Sequence, residues 1–260
     1  MKPITFALFL VAGLASATVQ AAPTCRARSG THKVPVVELY TSEGCSSCPP
    51  ADRWLSGLKR AAQNGWVVPL AFHVDDWDYI GWKDRFAKAE FSRRQRDAVA
   101  RQGSRTVYTP QVMIDGRDER GWASGLRFDR ARADSPGPAA ARVAIERSAG
   151  GDGAWRVRVS GSIDDPSVAR GAYVHIALFE NGLESVVQAG ENRGEKLDHD
   201  FVVRAWLGPF PVDRSGGIDH VADASIDASW RRAALGTAAI VYSAKGDVLQ
   251  AVSTGACAAG

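Results

Sequence analysis

Residues 34–52 read VPVVELYTSEGCSSCPPAD, and this stretch decides the fold of the first half of the chain. Val34 to Tyr40 is a short, β-branched, apolar run, as expected of a strand buried within a sheet. Thr41 to Cys48 turns the chain. Pro49 and Pro50 suit the start of a helix, where a missing N–H costs nothing. Ala51, Trp54, Leu55, Leu58, Ala61 and Ala62 then repeat at helical spacing until Asn64-Gly65 ends the pattern. Trp66 to Val74 (WVVPLAFHV) is the next buried run, so the unit predicts β-α-β with parallel strands and two cysteines at the strand-to-helix junction.

Downstream of this unit, Asp75 to Trp82 is a loop rich in aromatic and acidic residues. Ala89 to Gln102 predicts a surface helix closed by Gly103. Thr106 to Ile114 predicts a strand interrupted by Pro110, and Asp115-Gly116 a turn. The clearest linker is Ala133-Asp134-Ser135-Pro136-Gly137-Pro138. Beyond it, Trp155–Ser160, Ala172–Glu180, Ser185–Ala189, Phe201–Trp206 and Ala238–Ser243 predict short strands separated by Gly, Asp and Asn turns, a pattern that argues for a β-sandwich. Upstream, one Lys, an apolar run from Ile4 to about Ala17 and the small-residue Val19-Gln20-Ala21 stretch have the layout of a secretory signal peptide. The apolar run is shorter than the roughly 20 residues a membrane span needs. The expected organisation is a signal peptide over 1–21, an α/β domain over 22–134 and a mostly β, sandwich-like domain over 139–260. Export implies a periplasmic or secreted protein with no stable membrane span after signal cleavage. A formal charge of +3, with acidic and basic residues interleaved, gives no reason to expect a nucleic-acid partner.

Four cysteines are too few for a disulfide-dense scaffold. Cys25 and Cys257 stand near the two ends of the mature chain, where an oxidising compartment favours a structural bridge between them, the alternative being two unpaired tail thiols. Cys45 and Cys48 differ. A thiol attacks a disulfide only as its thiolate, and a helix N-terminus lowers the thiol pKa. Cys45 is the natural attacking residue, and Cys48, one turn on, the residue that attacks the mixed disulfide and releases the product. The competing reading is an inert structural disulfide. Pro110 removes a ladder hydrogen bond from an otherwise regular strand, which suggests a cis bond at Thr109-Pro110 that could hold an extended peptide, or simply an edge strand. Trp77, Tyr79 and Trp82 could line a substrate groove, or could pin a long loop to the sheet. His73 with the two cysteines raises a Cu(I) reading, while a structural zinc site lacks a second Cys or His pair at suitable spacing. No metal or cofactor is expected for the leading reading, and a non-catalytic binding module is the third class.

The order strand, CxxC, helix, strand and then Thr-Pro resembles the thioredoxin superfamily over roughly Val34 to Asp134. VELYTSEGCSSCPPAD, AFHVDDWDYIGWKD and VYTPQVMIDG together resemble exported proteins of domain-of-unknown-function family 1223, and GENRGEKLDHDFVVR resembles that family's second domain. The superfamily resemblance implies a thioredoxin-like domain in which Cys45 is the nucleophile, Cys48 the resolving cysteine and Pro110 the cis-proline. It further implies protein thiols or disulfides as partners. Glu38 matches a buried acid that accepts the proton of the second cysteine, with about one extra residue before the turn.

Overall fold

In the computed structural model residues 24–124 and 137–256 are described. The expected signal peptide, most of the linker and Cys257 lie outside them. The described residues form a mixed α/β fold with three sheets and few helices. Among the described residues no helix is long and apolar enough to cross a membrane.

The apolar run after Lys33 forms β2 (Val36–Thr41), every residue of which is buried. It follows β1 (Cys25–Arg28) and precedes α1 (Pro49–Ser56). The helical spacing predicted through Ala62 is present but interrupted: Gly57 ends α1, its N–H shared between the carbonyls of Arg53 and Trp54, and α2 (Lys59–Gln63) restarts two residues later. Glycine within a helix costs about 1 kcal/mol relative to alanine, so this is where the helix yields. The chain returns as β3 (Val68–His73), which pairs with β2 in parallel from Val36↔Val68 to Thr41↔His73. A 3₁₀ turn over Asp75–Ile80 leads to α3 (Ala89–Arg101). The strand predicted over Thr106–Ile114 is shorter than its apolar pattern: β4 (Gln111–Ile114) begins only after Pro110, whose missing N–H cannot join the ladder, and runs antiparallel to β2 before the short β5 (Arg117–Asp118).

The second half supplies β6 (Arg142–Ala149), β7 (Trp155–Ser162), β8 (Tyr173–Glu180), the hairpin of β9 (Leu183–Val186) and β10 (Lys196–His199), β11 (Val202–Pro211), β12 (Gly217–Ala224), β13 (Leu235–Tyr242) and β14 (Val248–Ala256). Apart from the two-stranded sheet of the β9–β10 hairpin, these strands do not form sheets of their own. One eight-stranded sheet runs β14-β13-β8-β11-β3-β2-β4-β5, joined across the two halves where Val202 of β11 pairs with Ala71 of β3 and Ala71 N–H donates to Phe201 O at 2.8 Å. Conversely β1, from the start of the chain, adds to the four-stranded sheet β1-β6-β7-β12.

The alternation of side chains along β8 and β13 explains this arrangement. Ala177, Phe179, Ala238 and Ile240 join Leu39, Tyr40, Leu55, Phe72 and Phe91 in a core between the large sheet and its helices. Ile176, Leu178, Ala239 and Val241 point the other way and meet Val157 and Val159 in a second core between the two sheets. Both faces of these strands are largely buried, which is why they read as mostly apolar runs rather than as alternating ones. The polar 133–138 stretch therefore divides the sequence without dividing the large sheet.

Candidate functional site

β2 delivers the chain into a tight turn. Gly44 N–H donates to Ser42 Oγ at 3.2 Å, Cys45 N–H to Ser42 O at 3.2 Å and Cys48 N–H to Cys45 O at 3.1 Å. Cys48 is the N-cap residue of α1 and offers no side-chain cap; Pro49 and Pro50 at the first two helical positions carry no N–H, and the amides of Ala51 and Asp52 donate to Cys48 O at 2.9 and 3.2 Å. Cys45 and Cys48 are joined in a disulfide, with Cα atoms 5.4 Å apart. Both are buried, at 1% and 0% exposure, although Ser46 and Ser47 between them are exposed.

Gly44 has a steric reason to be glycine: a Cβ there would stand 3.0 Å from Trp77 Cβ and 3.3 Å from Trp77 O. The Asp75–Ile80 turn thus rests directly on the cysteine turn. Trp77 in addition donates its indole N–H to Thr109 Oγ1 at 2.7 Å, so it pins loop to loop, while Tyr79 is 82% exposed. The Thr109–Pro110 peptide is cis, and the Thr109 carbonyl faces the motif, with Ser47 Oγ 3.5 Å away. Gln95, fully buried on α3, holds this segment by donating to Tyr108 O and Gln111 Oε1, each at 2.8 Å. Cys45, Cys48, Trp77, Thr109 and Pro110 are therefore brought together.

Glu38 is not among them. Thr41, three residues further along β2, donates to Asp52 Oδ2 on α1 at 3.2 Å, so the odd-numbered side faces α1. Glu38 lies on the even-numbered side, toward α3, where it is ion-paired with Arg94 and accepts Tyr40 OH at 3.1 Å. Arg94 in turn donates to Tyr242 OH at 3.0 Å and stacks on Trp206 at 4.1 Å. The one-residue offset in the sequence moves the side chain to the opposite face of the sheet.

The buried acid on the cysteine side is Asp52, one turn after Cys48. Burial raises its pKa, partly offset by the charges of His199 and His73. These imidazoles belong to a buried cluster. His73 Nδ1 lies 2.6 Å from Asp84 Oδ2, which also accepts Glu43 N–H at 2.9 Å, while Asp84 Oδ1 accepts Phe86 N–H at 2.8 Å. Glu43 accepts the Trp82 indole N–H at 2.8 Å and has His199 Nε2 at 3.4 Å from its other oxygen. The His73 and His199 rings meet edge to face at 4.9 Å. Burial pulls against every charge here. It is outweighed at His73, whose pKa is raised by the Asp84 carboxylate, and at Asp84, whose pKa the same contact and two backbone amides hold low. Glu43 is likewise held low, chiefly by His199.

Among the described residues no group of three or more His, Cys, Asp and Glu side chains is arranged to hold a metal ion. Cys25 is buried on β1, with Arg147 Nη2 3.0 Å from its sulfur. The bridge expected to Cys257 falls on a residue outside the described ones.

Sequence reading missed Asp52, Asp84, Glu43 and His199 as a set. The polar turn at Gly190–Gly194, which by composition could be a surface facing the first half or merely a hairpin, reaches the motif from the second half. Asn192 donates to Glu43 O at 2.8 Å and Cys45 O at 3.0 Å, and Glu191 Oε2 accepts Ser46 N–H at 3.0 Å. The Gly-Glu-Asn-Arg-Gly composition marks a polar turn and does not say which atoms it touches.

Residues 36–242 match a family described as a protein of unknown function, DUF1223. No curated protein matches the sequence. Among solved structures, the crystal structure of a protein from Agrobacterium tumefaciens is 27% identical, with a TM-score of 0.62 over 89% of this chain and 98% of that one. HBP35 of Porphyromonas gingivalis, 15% identical, shares the fold with a TM-score of 0.64 over 86% of this chain and 75% of that one.

Proposed function

We propose, for a chain that belongs to the DUF1223 family of proteins of unknown function, that Cys45 and Cys48 form a thioredoxin-like exchange site and that the protein is an exported thiol–disulfide oxidoreductase acting on protein thiols or disulfides. The observation that carries this reading is the Cys45–Cys48 disulfide at the N-terminus of α1, directly after a buried strand and beside the Thr109 carbonyl. A disulfide bridging only four residues constrains the unfolded chain little compared with one closing a long loop, so its placement is better explained by chemistry than by stability. The positive end of the helix dipole favours a thiolate at this position.

In the reducing direction the Cys45 thiolate attacks one sulfur of a partner disulfide. The partner S–S bond breaks, its leaving sulfur takes up a proton, and a Cys45–partner disulfide forms. Cys48 then loses its proton and attacks Cys45 Sγ, restoring the internal disulfide and releasing the second partner thiol. Two electrons pass from the cysteine pair to the partner, and the oxidising direction reverses each step. The Thr109 carbonyl, outside the β4 ladder and held only by the long 3.5 Å contact from Ser47 Oγ, can accept a hydrogen bond from an extended partner segment.

The test is trapping. With Cys48→Ala, the mixed disulfide on Cys45 has no internal thiol to resolve it. Incubation of the reduced variant with disulfide-containing secreted proteins is expected to yield covalent adducts, released by reductant and mapped to Cys45 by peptide mass. Adducts should be absent with Cys45→Ser. Failure of Cys48→Ala to form any adduct would refute the reading.

A further inference from the structure

Cys45 carries the exposed end of the proposed reaction, yet it is 1% exposed. Ser47 Oγ lies 3.3 Å from its sulfur, and the backbone on either side of it is held from the other half of the chain. The turn leading into β10 is closed by Gly194 N–H donating to Val187 O at 2.8 Å and Glu195 N–H to Asn192 O at 3.0 Å. From it Asn192, itself 5% exposed, spends both amide hydrogens on the carbonyls of Glu43 and Cys45, while Glu191 takes the N–H of Ser46. Gly190, at φ +76°, fits against the neighbouring loop, where a Cβ would lie 3.4 Å from Trp82 Cβ and 3.6 Å from Ile80 O. These contacts grip the backbone on both sides of Cys45. Exchange requires an entering sulfur to reach a disulfide sulfur, and access is one of the factors that set its rate.

We propose that the Gly190–Gly194 turn is a gate over the Cys45–Cys48 disulfide, held shut by Asn192 and Glu191, so that exchange proceeds only when these two residues let go of the cysteine turn. The proposal rests on the reading of this pair as exchangeable and adds what regulates it. Opening exposes two carbonyls and one N–H on the cysteine turn. An extended polypeptide can satisfy all three from its own backbone, whereas a small thiol has to wait for spontaneous release. The gate thereby favours partners that present a strand next to their cysteine.

The experiment follows reduction of the oxidised full-length mature protein by excess tris(2-carboxyethyl)phosphine in native buffer, counting alkylated Cys45 and Cys48 by peptide mass against time. The Glu191→Ala/Asn192→Ala double variant is expected to be reduced at least roughly tenfold faster than wild type, in keeping with the loss of three ordinary hydrogen bonds. Glu191→Ala alone, at an exposed position that leaves the core intact, should accelerate reduction about threefold, since it removes only the hydrogen bond from Ser46 N–H. Rates within a factor of two of wild type for these variants would overturn the gate. The reduction potential separates the two claims, because a gate changes rates and leaves the equilibrium of the cysteines alone. Accelerated variants with a strongly reducing potential would retire the oxidoreductase reading and keep the gate, and equal rates with a catalytic potential would do the reverse.

Discussion

Arg94→Met is expected to destabilise the protein by about 3–5 kcal/mol, the usual cost of leaving one partner of a buried ion pair alone. The Glu38 and Arg94 side chains are 4% and 13% exposed, so solvent does little to screen the pair. Once Arg94 is gone, Glu38 retains only the hydroxyls of Tyr40 and Tyr242, and the Trp206 and Phe72 rings lose the cation between them. The Glu38→Met/Arg94→Met double variant should recover a substantial part of the loss, because two apolar side chains of similar volume bury no charge. Urea midpoints of the two singles and the double complete the cycle. In the same series, Glu38→Gln should leave the reduction potential of the cysteine pair within about 10 mV of wild type, well under the roughly 30 mV that marks a tenfold change in equilibrium. A larger shift would return Glu38 to the proton chemistry that its face of β2 denies it.

The second large effect belongs to the His73–Asp84 contact. Asp84→Asn leaves one acceptor oxygen where two serve: with the amide oxygen on Glu43 N–H and His73 its NH2 meets Phe86 N–H donor to donor, and with the amide flipped Glu43 N–H and His73 lose their acceptor, while in either case the carboxylate charge beside His73 is gone. A loss of about 3 kcal/mol is expected for a buried charge left without its partner. The pH dependence follows from the directions of the shifts. His73 has its folded pKa raised, so its contribution is complete below the unfolded value of about 6.5 and is lost as pH rises through the folded value. Asp84 and Glu43 have theirs lowered, so their contribution is complete above about 4.5 and is lost as pH falls through the folded values. Asp52, raised by burial, acts in the same direction as His73 from a lower starting pH. Stability should therefore peak in the weakly acidic range and decline toward alkaline pH. His73→Gln should flatten the alkaline decline while leaving the acid limb. Urea midpoints from about pH 4 to 9 at constant ionic strength check both limbs, and a wild-type profile that rises monotonically across that range would contradict the assignment.

The parts of the molecule that were legible in the sequence are those where one local cause dominates. The β-branched run before the cysteines, the prolines after them and the return through Trp66 to Val74 led directly to β2, α1 and β3, because strand, helix start and strand each have a short-range signature. Pro110 marked its own departure from the ladder. Legibility fails where parity or distance decides. Glu38 stands one residue from the position that would face α1, and a period of two turns that single step into the opposite side of the sheet. The shared eight-stranded sheet could not be read from β8 and β13, since strands buried on both faces have apolar runs that do not say which neighbour they pair with. The buried cluster draws Glu43, His73, Asp84 and His199 from separate stretches of the chain, with each histidine on its own resembling an ordinary core residue. Asn192 is the same case: its turn was visible, but its target lies 147 residues away.

The most direct test of the central claim is the reduction potential of the Cys45–Cys48 pair in the purified protein. The pair would be equilibrated first against glutathione and then against dithiothreitol buffers, and read by alkylation of the two cysteines. An exchange site predicts a potential above about −250 mV, among catalytic dithiols, and a value below about −300 mV would mark a structural disulfide and contradict the account.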